Sequence, residues 1–294
     1  MITNIDIING LNTPKQLKKI IVSLTSFPYR IKTLHIAIDS ILNQTLKPDA
    51  VYLYLANEQF PNKEKDLPES LLALEKHGLS IKWCSDIKSY KKLIPALHEH
   101  PDDIIVTADD DLIFEKDWLK TLYNSYLAYP ADIHAHRITR LYFKDNQNLE
   151  IINRELYWAK TNVFDYEGYI KEPSFLNKLT GGSGALYPPN CFIEDILNED
   201  LFTRLAPTSD DIWFWLMAAL KGVKVRVPDS HFPVLNYIEG TQEKFTLSSI
   251  NDRGEKLFFV HLRNILDYYP KLREILRSDT DDVSHRLFAK QNNE

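Results

Sequence analysis

The segment Asp103–Phe114, DIIVTADDDLIF, decides the fold class of this chain. Its first half predicts a buried strand that ends directly in Asp109, Asp110 and Asp111. Ligands bind at the carboxyl ends of the strands in open α/β sheets, so these carboxylates are expected at a ligand-binding edge. Crowded carboxylates need a neutralising cation, and oxygen donors suit Mg²⁺ or Mn²⁺. The alternative is an acidic loop that caps the next helix near Lys116.

The chain before this segment alternates between short β-branched runs and helical patterns. The runs KKIIVSLTS, VYLYLA and IKWC predict three strands, and the apolar spacing from Leu34 to Leu42 predicts a helix between the first two. Gly78 stands at the C-terminal cap of a second predicted helix, LLALEKHG. Alternation of this kind predicts βαβ units and a largely parallel sheet.

The second half of the chain has a long irregular, aromatic-rich region followed by regular patterns. The run SDDIWFWLMAALKG predicts a helix that Ser209 or Asp210 caps and Gly222 ends, and VKVRVP predicts a strand after it. From Arg253 onward the sequence predicts amphipathic helix, interrupted at Pro270. A helical C-terminal segment is therefore expected.

Composition excludes several classes of protein. The chain has 294 residues, 44% of them apolar, which is enough for one large α/β domain. Its formal charge of −6 disfavours a nucleic-acid partner. Cys84 and Cys191 form no disulfide framework or zinc spacing and fit a reducing cytoplasm. The sequence has no signal-peptide pattern and no apolar run near the ~18 residues that span a bilayer, so a cytoplasmic location is expected.

The alternating half that ends in the triple-aspartate turn resembles the nucleotide-binding half of the GT-A glycosyltransferases. Residues 21–118 are similar to bacterial family 2-like enzymes that assemble capsular and lipopolysaccharide glycans. The resemblance implies a Rossmann-like α/β fold, a mixed sheet flanked by helices, over residues 1–252. Its nucleotide-binding half would cover about 18–130 and its acceptor half 131–252, followed by a helical extension at 253–294.

The resemblance also implies an activity. Enzymes of this kind transfer a sugar from a nucleotide diphosphate, here with a UDP-sugar favoured, to a glycan or lipid-linked oligosaccharide acceptor. The implied metal is Mn²⁺ or Mg²⁺, held by Asp111, Asp109 and His231, and the transfer is expected to invert the anomeric carbon. For His231, which follows the strand VKVRVP, the alternative is a structural histidine. No glutamine-arginine-tryptophan run follows Asp211, which favours single addition over processive synthesis.

Several loops would contact the donor. The resemblance implies donor contacts at Thr25, Ser26, Arg30, Asp86, Lys88, Lys92, Asp109, Asp110, His136, Arg137, Gly182 and Gly184. Arg30 can pair with a phosphate, and Asp86 stands where GT-A enzymes often hold the base. The alternatives are an exposed arginine at a helix start, lysines on a solvated helix face, a cation patch at a sheet edge for His136 and Arg137, and a plain tight turn for the glycines.

Asp210 and Asp211 open the predicted helix SDDIWFWLMAALKG. One carboxylate at a helix start is explained by capping and by the helix dipole, but two in a row exceed what capping needs. In inverting GT-A enzymes an acidic residue at this helix start deprotonates the acceptor hydroxyl. By resemblance Asp211 is the general base, and Asp210 is the alternative base or an acceptor-binding group.

Two other classes of protein fit parts of the sequence. A sugar nucleotidyltransferase also uses metal-binding carboxylates, but the first loop here, SLTSFPYRIK, has no glycine for gripping a triphosphate. A non-catalytic glycan-binding module would use the tryptophans as stacking platforms, yet it leaves the acidic turn unexplained. These tryptophans are Trp83, Trp118, Trp158, Trp213 and Trp215, of which the last two also fit a core helix.

The C-terminal stretch KLFFVHLRNILDYYPKLREILR combines an apolar face with basic side chains. Packing against the catalytic domain is the favoured interpretation. The alternative is a peripheral docking helix at the inner face of the cytoplasmic membrane.

Overall fold

The computed structural model describes residues 18–143, 149–151, 172–230, 235–243 and 257–279. Within these residues, seven strands form one mixed sheet and three strands form a second, smaller sheet. The strands are, in chain order, β1 (Ile20–Thr25), β2 (Ala50–Ala56), β3 (Leu79–Cys84), β4 (Ile104–Thr107), β5 (Ile133–Ala135), β6 (Ile138–Phe143), β7 (Leu149–Ile151), β8 (Asn177–Leu179), β9 (Ala185–Tyr187) and β10 (Val225–Arg226). The predicted mixed α/β sheet is confirmed.

Four neighbouring strands of the large sheet are parallel and lie in the order β3, β2, β1, β4. The chain therefore moves outward from β1 to β3 and then returns past β1 to β4. The direction of the crossovers reverses between β1 and β4, and the crevice at the carboxyl ends of two such strands is where open α/β sheets bind ligands. Thr25 ends β1 at this crevice, and Asp109 follows β4 there.

Strand β9 is antiparallel to both β4 and β5. Its first residue, Ala185, pairs with Thr107 at the end of β4. Because an antiparallel strand starts where its partner ends, the glycine-rich turn Gly181–Ser183 lies beside the three aspartates. Strand β10 continues the sheet parallel to β5, and the small sheet has the order β7-β6-β8.

Helices cover both faces of the large sheet. They are α1 (Leu34–Leu42), α2 (Glu69–Leu72), α3 (Ile94–Glu99), α4 (Trp118–Ala128), α5 (Glu199–Leu205), α6 (Asp210–Lys221), α7 (Leu257–Tyr268) and α8 (Lys271–Arg277). Val106 of β4 belongs to the core that includes Leu34 and Leu119, whereas Ile105 belongs to the core that includes Phe214 and Leu272. Alternate residues of a strand face opposite sides, so burial on both faces explains the uninterrupted apolar run of β4.

Helix α6 is almost wholly buried. Trp213 and Trp215 expose 0% and 1% of their surface, and each indole N–H donates to a backbone carbonyl, of Ile196 and Phe175 respectively. These two side chains are core residues and cannot act as sugar-stacking platforms. Trp158 lies outside the described residues.

The C-terminal helices pack against α6. Their buried residues include Leu262 and Ile265 of α7 and Leu272 and Leu276 of α8. The apolar face of this segment is thus occupied by the core. No helix among the described residues is long and apolar enough to cross a membrane.

Most elements match their predicted positions, with two differences. The segment LLALEKHG forms only a short α-turn followed by a 3₁₀ turn, Ala73–His77, before Gly78 ends it at φ 109°. VKVRVP contributes only the two-residue strand β10, which ends the large sheet: it pairs with β5 on one side and has a single bridge, from Val225 to Ser174, on the other. The division of the chain near residues 130 and 252 stays a prediction.

Candidate active site

A cavity of about 610 Å³ opens at the crevice between β1 and β4, a size typical of small-molecule sites. The predicted site residues that line it are Thr25, Ser26, Arg30, Lys88, Lys92, Asp109, Asp110, Asp111, Arg137, Gly182, Asp210 and Asp211. The structure therefore brings together residues from six separate segments of the chain. Asp86, His136 and Gly184 are not part of the lining, and His231 lies outside the described residues.

Arg30 holds two of the three aspartates that follow β4. Its Nη1 lies 2.7 Å from Asp110 Oδ1 and 2.8 Å from Asp111 Oδ2. The Ser26 hydroxyl donates to Asp110 Oδ2 at 2.6 Å, and the Gln242 amide donates to Asp111 Oδ2 at 2.7 Å. The loop after β1 thus fixes the turn after β4, as expected where two parallel strands end side by side.

Negative charge in this turn exceeds what its cations neutralise. Burial, together with the nearby Asp109 carboxylate, raises the pKa of Asp111 to about 7, and Arg30 only partly opposes this. Burial also raises the pKa of Asp110, despite its pairing with Arg30. Asp111 is therefore a carboxylate for which a further cation would be favourable.

Lys92 links the turn after β4 to the start of α6. Its Nζ lies 2.8 Å from Asp109 Oδ1 and 3.2 Å from Asp210 Oδ2, and the residue is only 6% exposed. Burial acts to lower the pKa of Lys92, but the carboxylates of Asp109 and Asp210 outweigh it and hold the pKa well above its usual range. Lys92 is a buried bridging cation and does not lie on a solvated helix face.

The two aspartates at the start of α6 have different surroundings. The Asp210 side chain is 7% exposed, and it accepts a hydrogen bond of 2.8 Å from the Ser89 hydroxyl in addition to its contact with Lys92. The Asp211 side chain is 23% exposed and accepts a hydrogen bond of 3.1 Å from the Gly181 N–H. Of these two aspartates, Asp211 presents the more exposed carboxylate to the cavity.

Asp211 also has the titration behaviour of a base that works near neutral pH. Burial, reinforced by the charge of Asp210, raises the pKa of Asp211 to about 6. Lys178, whose Nζ lies 4.0 Å from Asp211 Oδ2, partly opposes that shift, as does Lys92. A carboxylate with such a pKa is ionised at pH 7 and has more affinity for a proton than an ordinary aspartate.

The glycine-rich turn lies between the two acidic groups. A Cβ on Gly182 would collide with Asp109 Oδ2, and a Cβ on Gly184 would collide with the Trp118 indole. The same indole donates a hydrogen bond of 2.7 Å to the Ser183 carbonyl. Close approach to neighbouring side chains, and not chain flexibility, therefore explains why glycines stand here.

Gly184→Ala is expected to destabilise the protein by about 2–4 kcal/mol. Gly184 has φ 104°, which side chains rarely adopt, and the added Cβ would also displace the Trp118 ring. Gly240→Ala is the matched control, because Gly240 also has a positive φ, of 78°, but no atom of the described residues lies within 4 Å of its added Cβ. Urea unfolding of both variants measures the difference. Equal losses would show that the contact with Trp118 is unimportant.

His136 and Arg137 are adjacent but lie in different places. His136 is fully buried, and its Nε2 donates to the Trp118 carbonyl at 3.0 Å. Arg137 lines the cavity. Asp86 is not part of the cavity lining; its carboxylate pairs with the Lys91 Nζ at 2.6 Å and accepts a hydrogen bond of 2.8 Å from the Gln59 amide.

Several cavity residues were not identified from the sequence. The most informative are Ser89, Lys178, Tyr237, Gln242 and Phe258. None belongs to a recognisable motif, and each comes from a segment that reaches the cavity only through packing. The one usable signal is the position of Lys178, two residues before the turn-forming segment TGGSG.

Comparison with solved structures identifies the fold. No protein-family model matches the chain, and no curated protein matches it in sequence. The mannosyltransferase PcManGT from Pyrobaculum calidifontis, solved in complex with GDP-Man and Mn²⁺, superposes with a TM-score of 0.51 at 14% identity, over 87% of this chain and 68% of that one. The chain has the GT-A fold.

Two further structures are more distantly similar to this GT-A chain. Glucosyl-3-phosphoglycerate synthase from Mycobacterium tuberculosis, solved with Mn²⁺, UDP and phosphoglyceric acid, has a TM-score of 0.44 and 14% identity over 85% of this chain and 79% of that one. A CMP:2-keto-3-deoxy-manno-octonic acid synthetase solved with CTP has a TM-score of 0.41 and 11% identity over 76% and 92%. These two scores are too low to support a conclusion.

The GT-A fold raises the question of whether the residues fit a divalent ion. Among the described residues, no group of three or more His, Cys, Asp or Glu side chains could hold a metal by itself. Two carboxylates that line the cavity, Asp109 and Asp111, are hard oxygen donors, and Asp111 lacks full charge compensation. Mg²⁺-type ions are usually bound by one or two carboxylates together with substrate phosphates. The site therefore fits an ion shared with a phosphate ligand.

Proposed function

We propose that the protein is a metal-dependent glycosyltransferase that moves a sugar from a nucleotide diphosphate to a glycan acceptor. One observation carries the proposal: a single cavity at the strand crevice contains the carboxylate pair Asp109 and Asp111 and, across the Gly181–Ser183 turn, the partly exposed carboxylate Asp211. The first pair is suited to a divalent ion, and the second group is suited to accept a proton. Metal-dependent glycosyl transfer with inversion uses both.

The donor end of the cavity combines carboxylates with cations. Asp109 and Asp111 would hold the ion, which when bound supplies positive charge for the leaving diphosphate. Arg30 already contacts Asp111 and can also reach a phosphate beside it, while Arg137 lines the same cavity. PcManGT, which shares the fold, was solved with a ligand of this kind, GDP-Man, together with Mn²⁺.

The acceptor end is built around Asp211. An acceptor hydroxyl within hydrogen-bond distance of Asp211 would lose its proton to the carboxylate as its oxygen forms a bond to the anomeric carbon. The bond from that carbon to the diphosphate oxygen breaks, and the diphosphate leaves with the electron pair. Attack from the side opposite the leaving group inverts the anomeric configuration. The Gly181 N–H and Lys178 hold Asp211 in place for this step.

The biological setting follows from the sequence resemblance and stays a prediction. It comprises a UDP-sugar donor, a glycan or lipid-linked oligosaccharide acceptor in bacterial surface polysaccharide synthesis, and a cytoplasmic location, with peripheral contact at the inner face of the cytoplasmic membrane as the alternative. A peripheral contact through α7 and α8 would have to rely mainly on their polar side chains, because Leu262, Ile265, Leu272 and Leu276 are buried in the core.

A panel of nucleotide sugars tests the proposal. Thermal stabilisation and sugar release are measured for UDP-, GDP- and CMP-sugars, with Mn²⁺ and with EDTA. Stabilisation by one nucleotide class in Mn²⁺ but not in EDTA is expected, with slow hydrolysis of that donor. Incubation of CTP or UTP with sugar phosphates tests the nucleotidyltransferase alternative through pyrophosphate release. Pyrophosphate release without donor hydrolysis would overturn the proposed function, and so would metal-independent binding of glycans alone.

The transfer rate is expected to rise with pH and level off above about pH 6. The pKa of Asp211 lies at about 6, and only its ionised form accepts a proton, so below that pH the rate should fall about tenfold per pH unit. Measurements at saturating Mn²⁺ and donor keep the Asp109–Asp111 end occupied, and donor affinity measured over the same range is the control. A flat rate profile between pH 5 and 8 would contradict the assignment of Asp211 as the base.

A further inference from the structure

We infer that the C-terminal helix α7 is part of the active site, and that His261 positions Asp211 by holding Ser209 at the start of α6. The inference rests on the proposed function, in which Asp211 is the base. His261 is not part of the cavity lining, so it is a positioning residue.

The contact between the two helices is direct and buried. His261 is 4% exposed, and its Nδ1 lies 2.8 Å from the Ser209 hydroxyl. Burial lowers the pKa of His261, which favours the neutral form of the imidazole. Ser209 lines the cavity and directly precedes Asp210 and Asp211.

The Ser209 hydroxyl makes this contact in place of the hydrogen bond that an N-cap serine usually forms. A serine at the N-cap of a helix normally accepts a hydrogen bond from a backbone N–H of the first turn. Ser209 is the N-cap residue of α6, yet its hydroxyl makes no such bond and instead faces His261. The first turn of α6 is therefore held from outside, by α7, and this is the turn that carries Asp211.

Two more residues on the same face of α7 reach the neighbourhood of Asp211. Phe258 lines the cavity, and its ring lies 5.8 Å from the Lys178 Nζ, which itself approaches Asp211. Asn264 donates a hydrogen bond of 3.3 Å to the Leu205 carbonyl, at the end of α5. Phe258, His261 and Asn264 are spaced by three, so they share one helix face. This face of α7 therefore contacts the segment between the end of α5 and the start of α6, which leads directly to Asp211.

The role of His261 predicts a selective kinetic defect. Without the imidazole, the Ser209 hydroxyl can rotate to cap α6, and the first turn can shift. Asp211 would then be misplaced relative to the acceptor hydroxyl. Donor and metal binding depend on the loops after β1 and β4, which Ser26, Arg30 and Gln242 fix through Asp110 and Asp111 without involving His261. The turnover number should therefore fall, while donor affinity stays unchanged.

Three variants test the inference in the full-length protein. His261→Leu removes the hydrogen bond, whereas His261→Asn keeps an amide that can replace Nδ1. Leu262→Ala is the control, because Leu262 is a buried core residue of the same helix and its truncation loosens packing without removing the contact with Ser209. We measure kcat, the donor dissociation constant with Mn²⁺, and the melting temperature, and assay all variants well below their melting temperatures.

His261→Leu should lower kcat by about 10- to 100-fold, as small misplacements of catalytic groups do, with donor affinity within about twofold of the wild type. His261→Asn should recover most of the rate, and Leu262→Ala should retain it. If His261→Leu does not fold, Ser209→Ala removes the other partner and should reproduce the kinetic defect. An unchanged kcat in His261→Leu, or an equal loss in Leu262→Ala, would overturn the inference. Absence of transfer by the wild-type protein would instead overturn the proposed function.

Discussion

Asp211→Asn is expected to lower the rate of sugar transfer by about 10²–10⁴-fold while donor and metal binding remain intact. The amide keeps the size of the side chain and still accepts the hydrogen bond from the Gly181 N–H, but it cannot take a proton from the acceptor. Single-turnover transfer assays give the rate, and calorimetry with UDP and Mn²⁺ gives the binding.

The same variant should be more stable than the wild type at pH 7. The pKa of Asp211 in the folded protein, about 6, is above its ordinary value, so ionisation above that pH opposes folding. An amide does not ionise, and the gain in the free energy of unfolding should be about 1–3 kcal/mol at pH 7, vanishing below pH 4. Lower activity combined with higher stability is typical of a group kept for chemistry.

Asp210→Asn is the matched comparison, because the two residues are adjacent at one helix start. Asp210 is buried against Ser89 and Lys92, so its amide variant should lose stability and show a smaller kinetic defect than Asp211→Asn. If Asp211→Asn transfers sugar at the normal rate while Asp210→Asn is inactive, the base is Asp210. If both remain active, the inverting general-base mechanism is wrong.

Asp111→Ala is expected to abolish metal-dependent donor binding without unfolding the protein. It removes one of the two carboxylates proposed for the ion, and calorimetry with UDP should show an affinity at least about 100-fold weaker in Mn²⁺ and no longer sensitive to EDTA. The fold should tolerate the change, because it removes the cost of burying this carboxylate near Asp109, which raises the pKa of Asp111 to about 7, and Arg30 keeps its contact with Asp110.

Asp102→Ala is the control for the change in net charge. Asp102 is exposed and precedes β4, at the end of the strand opposite the cavity. Its replacement alters the charge of the protein by the same amount and should leave UDP binding unchanged. Undiminished Mn²⁺-dependent binding by Asp111→Ala would exclude Asp111 from the metal site.

Much of the fold was predictable because it depends on short-range patterns. The apolar run before Asp109 predicts a strand buried on both faces, and the spacing of Leu34, Ile38 and Ile41 predicts α1. Gly78 and Gly222 end helices at positive φ, as expected of residues without a side chain. Each of these features is set by neighbours within a few residues, so the sequence carries the information locally.

Most of the predicted site residues that line the cavity could be identified from their residue type and from their position directly after a strand. The parallel strands β1 and β4 must end at the same edge, which places Ser26 beside Asp110. The antiparallel strand β9 could not be anticipated from the alternating pattern of the first half. Its direction brings Gly182 against Asp109 and places Asp211 on the other side of the turn.

The succession of strands and helices in the first half, the acidic turn and the acidic helix start all follow from the sequence alone. Tertiary packing sets which of two adjacent residues lines the cavity: Arg137 does, and His136 is buried. It also sets which lysine is buried between carboxylates, which is Lys92. It also brought His261 to Ser209 from 52 positions away. Strand and turn patterns arise from interactions between near neighbours, whereas the direction of a side chain and its distant partner depend on how whole elements pack.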